Sequence, residues 1–466
     1  MRTDGCRTRG TGPAPVKARL SAGAFTEAGP RLGRPGGFAP GAAGSRQAMP
    51  IADHTLLLLL EGYGWLPDQR RRASGEVVHT RVAGQRAVGL CGPDAARFFY
   101  DEDHVERHTA LPGPVKSTLF GHGAVHTLDG ADHRVRKAMF MSLMTDEGIA
   151  DLVGRTTTAW DEAVASWADG RRVVLFDEAA RVITRAVCRW AGIPLDDADV
   201  PAAASDLVAL VDGFGTAGPR HWRARRARAR REAWLGGLVR DVRGGEATAP
   251  PDSALDAVAR HRDAGGELLD PRVAAVELLN IVRPTVAVSW FVAFAAHALH
   301  RWPRHRAPLR DGDEVFTEAF VHEVRRFYPF APLVGGRAVE DLSWRGERIP
   351  AGALVLLDVY GQNHDPRLWQ DPYVFDPGRF IGREIGEFDL IPQGGGDPRT
   401  GHRCPGEAIT VALLKALVAR LARLDYDVPG QDLSISLRRI PARPASGFVM
   451  ASVRPAVRRP VPSPQR

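Results

Sequence analysis

Four cysteines in 466 residues, Cys6, Cys91, Cys188 and Cys404, lie far apart, and no two share a C-x-x-C spacing. That excludes a zinc ribbon and a disulfide framework, and a reducing cytoplasm is the expected compartment. Long apolar runs are also missing. Hydrophobic residues make up 44% of the chain, yet none of their runs approaches the roughly 20 residues needed to cross a bilayer. No membrane span is expected, and the leucine run Leu56–Leu60 belongs to an amphipathic helix or a core edge. No signal peptide, internal repeat or interior linker is legible.

What is present divides into three stretches. Residues 1–48 are rich in Gly, Ala, Pro and Arg without apolar periodicity, the composition of a disordered extension. Met49 is an alternative start of translation. Residues 49–453 read as one large, mainly α domain with small peripheral β-sheets, and 454–466 as a disordered Pro/Arg tail. Val77–Leu90 alternates as a hairpin around Ala83-Gly84-Gln85, and Pro93–Tyr100 is helical. A longer helix begins near Asp129. Helical patterns then run to about Arg310, broken at Gly192–Pro194, Gly213–Pro219, Gly244-Gly245 and Gly265-Gly266. Leu354–Val359 reads as a strand, and Leu433–Ile435 with Phe448–Val453 as a closing pair.

Seven arginines fall between Arg220 and Arg231, and the net charge is +7. Only Trp222 could stack on a base, and no nucleic-acid-binding signature accompanies the run. A solvated helix face is expected, and no nucleic-acid partner.

The stretch Ile391–Thr410 packs glycines, among them Gly394, Gly395 and Gly396, ahead of Cys404 and an apolar helical pattern. Glycines let the backbone approach a flat partner closely. A helix start and tight-loop donors lower a cysteine's pKa and favour the thiolate that binds metal. An isolated cysteine is more often a buried structural one, but this many glycines favour an axial thiolate for haem iron.

Asp270–Trp302 reads as a helix on the order of 45 Å long, apolar on nearly all faces and therefore central. Asp270 is its N-cap, and Pro284 should kink it. Arg283 is a charge on this buried helix, and its neighbours Leu279, Asn280, Val286 and Ala287 supply no anion. It needs a carboxylate from elsewhere in the fold, from a ligand, or a route to the surface. Downstream, Glu323 and Arg326 share a helix face at i,i+3, and Arg379 follows in F-D-P-G-R-F.

The E-x-x-R pair, the later Arg379-Phe380 and the loop ending G-H-R-C-P-G resemble, in this order, the cytochrome P-450 superfamily, from about Met49 to Val453. The resemblance implies haem b with Cys404 as proximal iron ligand. It implies a structural brace of Glu323, Arg326 and Arg379, and haem contacts from His133, Lys137, His402 and Gly396. Most members carry an acid–alcohol pair at mid-helix. This chain has Asn280-Ile281-Val282-Arg283-Pro284-Thr285 instead, which with P-Q-G-G-G resembles the bacterial fatty-acid peroxygenase branch. That branch implies an enzyme in which Arg283, beside Pro284, binds a fatty-acid carboxylate. The carboxylate helps to split hydrogen peroxide, the α or β carbon is oxidised, and no dedicated redox partner is required. His126 matches a position where the branch carries Gln or His, implying a role in hydroxylation against decarboxylation to a terminal alkene. Leu119, Phe120, Val211, Phe214, Ala287, Phe330, Ala331 and Leu333 are implied to line the acyl channel. A reductase-dependent monooxygenase and a non-enzymatic haem sensor or carrier are the alternative readings.

Overall fold

Apolar residues on nearly every side of Pro271–Arg301 demand protein on every side, and the computed structural model supplies it. The structure describes residues 52–73, 77–110, 112–167 and 170–455. The extension expected over 1–48 and the tail beyond 455 lie outside them. The central helix is capped by Asp270, whose Oδ1 accepts the Arg272 N–H at 2.8 Å. Pro284 cannot donate, and the helix divides three residues later into Pro271–Val286 and Val288–Arg301, with Ala287 between. Its length and composition would suit a membrane, but 94% of its apolar window is buried inside the protein. Trp290 and Phe294 lie at the middle of a core built with Trp160, Trp167 and Phe176.

Ten strands lie among the described residues: β1 (Val78–Val82), β2 (Gln85–Leu90), β3 (Val105–Glu106), β4 (Val173–Val174), β5 (Val334–Ala338), β6 (Leu342–Trp344), β7 (Glu347–Ile349), β8 (Leu354–Leu357), β9 (Leu424–Asp427) and β10 (Val449–Pro455). They form a five-stranded sheet in the order β1-β2-β8-β5-β3, a three-stranded sheet β4-β10-β9 and the pair β6-β7. The expected hairpin is β1–β2, paired from Val78↔Gly89 to Val82↔Gln85. The helix Pro93–Tyr100 and the break at Gly244-Gly245 also stand where the sequence placed them, with Gly245 in the left-handed region at φ 79°.

Three expectations change. The closing pair does not form: β10 joins Val173–Val174 and Leu424–Asp427, while Ile435 makes only an isolated bridge to Pro444. β10 also runs on through Arg454 to Pro455, past the expected boundary of the tail. The arginine run, on the helix Pro219–Gly244, is a solvated face only in part. Arg220 and Arg223 pair with Asp212, and Arg230 and Arg231 with Asp206, stapling this helix to Val200–Asp212. Arg228 is buried and donates to the carbonyls of Thr118 and Leu119. The leucine run is a short helix, Thr55–Glu61, with Leu56 67% and Leu60 57% exposed.

Candidate active site

The cysteine loop is held open by Gly394 (φ 98°) and Gly396 (φ 83°) before the helix Glu407–Ala422. The Gln393 carbonyl accepts the Cys404 N–H at 3.0 Å, and the Gln393 amide lies 3.8 Å from Cys404 Sγ. That amide has one orientation available, because its oxygen accepts from Arg325 Nε at 3.2 Å and its nitrogen donates to Thr410 Oγ1 at 3.0 Å. Desolvation raises the pKa of the Cys404 thiol, against the lowering expected from a helix start. The Gly406 N–H, Lys137 and the Gln393 amide work the other way, but the helix begins only at Glu407, whose carboxylate opposes them. A haem iron at the sulfur would favour its ionised form.

Behind the loop, Glu323 and Arg326 form a fully buried bidentate pair at 2.7 and 2.8 Å, and Arg379 Nε approaches Glu323 at 3.1 Å. Arg326 also donates to the carbonyls of Asn363 and Pro372. The brace read from sequence is therefore assembled, and it ties the helix Glu314–Phe327 to the segment leading towards the cysteine loop.

Arg283 is 4% exposed. Its Nη2 donates to Asn280 Oδ1 at 3.0 Å, its Nε has no hydrogen bond, and its guanidinium lies 5.7 Å from the Phe120 ring centroid. No carboxylate among the described residues pairs with it. Burial, with Arg228 nearby, lowers its pKa to about 9, and the charges of Cys404 and Glu277 oppose that fall. His126 packs at a tilt of 38° against Phe120, 4.3 Å between ring centroids, with Nδ1 unbonded. Desolvation and then the charges of Arg283, Lys137, His402 and His133 hold its pKa well below 6.5. The Phe120 ring lies against both Arg283 and His126, so the central helix and His126 meet at one place. The imidazole is neutral there.

His133 and His402 stack at 3.9 Å. Burial, with the charges of His402 and Lys137, takes the His133 pKa down to about 3. Lys137 donates to the carbonyls of Gly401 and Arg403 at 2.8 and 2.6 Å, so it braces the cysteine loop directly. Gly396 does so through its carbonyl, which accepts from Arg403.

The residues implied for the channel are not one patch. Leu119, Val211, Ala287 and Phe330 belong to the main core, Ala331 packs with the β2–β8 side, Leu333 with Trp65, and Phe214 with Tyr63 and Ile440. They mark the seams where four packed clusters meet. Tyr63 Oη closes one seam on the Phe330 carbonyl at 2.5 Å.

One functional group escaped the sequence reading. Glu277 is 0% exposed. It accepts the Val125 N–H at 2.8 Å, Arg136 Nη1 at 2.7 Å and Asn280 Nδ2 at 3.0 Å. A carboxylate on an all-apolar helix, three and six residues before Asn280 and Arg283, was the signal available.

The donor set fits a thiolate-bound haem. Beside a single sulfur with an amide donor stand buried nitrogens of His126, His133 and Arg283 without a hydrogen bond, which a flat dianionic cofactor and an acid ligand would satisfy.

The family model described as Cytochrome P450 matches residues 315–445. Among solved structures, a variant of Cytochrome P450SP alpha (CYP152B1) is 44% identical, covering 87% of this chain and 100% of that one, with a TM-score of 0.84. Cytochrome P450EX alpha (CYP152N1), solved with myristic acid, is 39% identical over 87% and 99%, TM-score 0.84. A variant of cytochrome P450 OleT in complex with arachidonic acid is 38% identical over 88% and 100%, TM-score 0.85. With the cysteine loop, the Glu323–Arg326–Arg379 brace and the buried Arg283 already in place, these likenesses establish that the chain belongs to the cytochrome P450 family, in its CYP152 branch of haem-thiolate fatty-acid peroxygenases.

Proposed function

We propose that this chain uses hydrogen peroxide to hydroxylate fatty acids at the α or β carbon, and converts a fraction of them to terminal alkenes. The observation that carries the reading is Arg283, a buried guanidinium with one amide partner, an unbonded Nε and, among the described residues, no carboxylate. An uncompensated buried charge is costly, and the fatty-acid carboxylates that CYP152 relatives bind would complete it.

Haem b, which Cys404 would hold, would supply the iron for splitting peroxide and oxidising the alkyl chain. His133, His402 and Lys137 would stand at its propionates. The chain's own part is positional. Arg283 fixes the carboxylate, so the α and β carbons are the first parts of the substrate offered for oxidation. Thr285 offers no free hydroxyl for a proton relay, because its Oγ1 donates to the Ile281 carbonyl at 2.8 Å. The Arg283-bound carboxylate is then the group available to take a proton from one peroxide oxygen and return it to the other. Phe120 and His126 form the wall beside it. Hydroxylation consumes one peroxide and releases one water. Alkene formation consumes one peroxide and releases carbon dioxide and two waters. No redox partner is required by either balance, and the buried, unpaired Cys91 and Cys188 support a cytoplasmic location.

Arg283→Ala tests this reading. Peroxide-driven turnover of fatty acids should fall by orders of magnitude while the haem spectrum is retained; unchanged turnover would overturn it. The reductase-dependent alternative has one observation in its favour. A groove of about 1010 Å³ beside Arg403 and Pro405 has the exposed Arg399 and Arg423 in its lining, two cations an acidic electron-transfer protein would meet.

A further inference from the structure

Glu277, Asn280 and Arg283 stand at i, i+3 and i+6 on the central helix, so their side chains follow one another along one face. The hydrogen bonds along that face run in one direction. The Glu277 carboxylate receives Arg136 Nη1 and the Val125 N–H on Oε1, and the Asn280 amide on Oε2. An ionised carboxylate only accepts. The Asn280 NH₂ must therefore face Glu277, and it also donates to the Phe120 carbonyl at 3.0 Å. The Asn280 oxygen is left pointing at Arg283, where it accepts from Nη2 at 3.0 Å. The amide cannot turn over without setting two donors against each other at Arg283 and placing its oxygen against Glu277 and the Phe120 carbonyl.

We propose that Asn280 is a positioning residue for fatty-acid binding, which holds the Arg283 guanidinium and the Phe120 segment in a fixed relation and so aligns the substrate carboxylate. The proposal rests on Arg283 as the carboxylate anchor. With Nη2 committed to Asn280, the unbonded Nε is left for a ligand. Because the same amide holds the Phe120 carbonyl, and the Phe120 ring packs against His126, anchor and channel wall cannot shift independently. Neither Glu277 nor Arg136 is needed to touch substrate: they set the direction of the amide. The α-to-β product ratio depends on where the carboxylate sits along the channel, so Asn280 sets regiochemistry as well as affinity.

The test compares ligands that share a chain and differ in the head group. Ferric holoenzyme is dialysed to equilibrium against dodecanoic acid and, separately, dodecan-1-ol, for wild type, Asn280→Ala and the milder Asn280→Ser. Both variants should bind the acid about tenfold more weakly or worse, the value of a hydrogen bond to a charged group, with alcohol binding and haem content held near wild type. Their α-to-β hydroxy-acid ratio should also shift. If acid and alcohol weaken together, Asn280 is only structural and the proposal is overturned. An unchanged acid-to-alcohol ratio in both variants overturns it as well, as long as the wild type prefers the acid. A wild type indifferent to the head group removes the carboxylate anchor itself, and the proposed function with it.

Discussion

Glu277 carries the largest single stability prediction. Replacing it with Leu leaves the Arg136 guanidinium, 6% exposed, with only the Gly123 carbonyl at 3.4 Å. Breaking a buried ion pair from one side costs about 3–5 kcal/mol. The Val125 N–H loses its acceptor too, worth about 1–3 kcal/mol if it stays dry. The two effects share one carboxylate and do not simply add, so a loss of about 4 kcal/mol or more is expected, a large part of a typical 5–15 kcal/mol. Glu277→Gln should cost less, because its oxygen can still serve Arg136 and Val125 while its NH₂ meets the Asn280 NH₂. The loss is smaller in the double variant Arg136→Met/Glu277→Leu. Replacing both members of a buried pair by apolar groups is often neutral or stabilising, so much of the loss should return. Urea unfolding of the holoenzyme, followed by far-ultraviolet circular dichroism at fixed haem occupancy, measures all three, since bound cofactor itself shifts the midpoint. A Glu277→Leu loss under about 1 kcal/mol, or a double variant as unstable as the single one, would refute the reasoning from the buried pair.

Two further outcomes follow from the site. Cys404→Ala should abolish the red-shifted Soret band of the reduced carbon monoxide complex, and a thiolate-type spectrum in that variant would show that another group ligates the iron. His126→Gln should move products towards hydroxy acids and away from alkene, read by gas chromatography. A ratio indifferent to the exchange would leave His126 as a wall residue only, an outcome made tenable by its neutral imidazole.

Local patterns were legible in the sequence where the cause was local. The hairpin β1–β2, the Asp270 cap and the spacing of Glu323 and Arg326 each depend on neighbours in the chain, and each stands where it was read. The burial of Arg283 could be read because a charge on an all-apolar helix has few explanations. The same logic applied to Glu277, and its partners stayed hidden because Arg136 and Val125 come from elements more than a hundred residues earlier. Strand β10 was assigned the wrong partner for a similar reason. Its pairing with Val173–Val174 is a long-range choice that alternation alone does not make. The arginine run misled by composition, since Asp206 and Asp212 face it from the preceding helix. Burial decided the protonation of both Cys404 and His126 against the values their residue types suggest.

The central claim is that peroxide alone drives oxidation of an acid anchored by Arg283. Purified holoenzyme, free of any reductase, is incubated with medium- and long-chain fatty acids and hydrogen peroxide, and the products are identified by mass spectrometry. The account predicts sustained turnover to 2- and 3-hydroxy acids with a terminal-alkene fraction. No product with peroxide, together with turnover once an electron-transfer protein and a reduced nicotinamide are added, would contradict it.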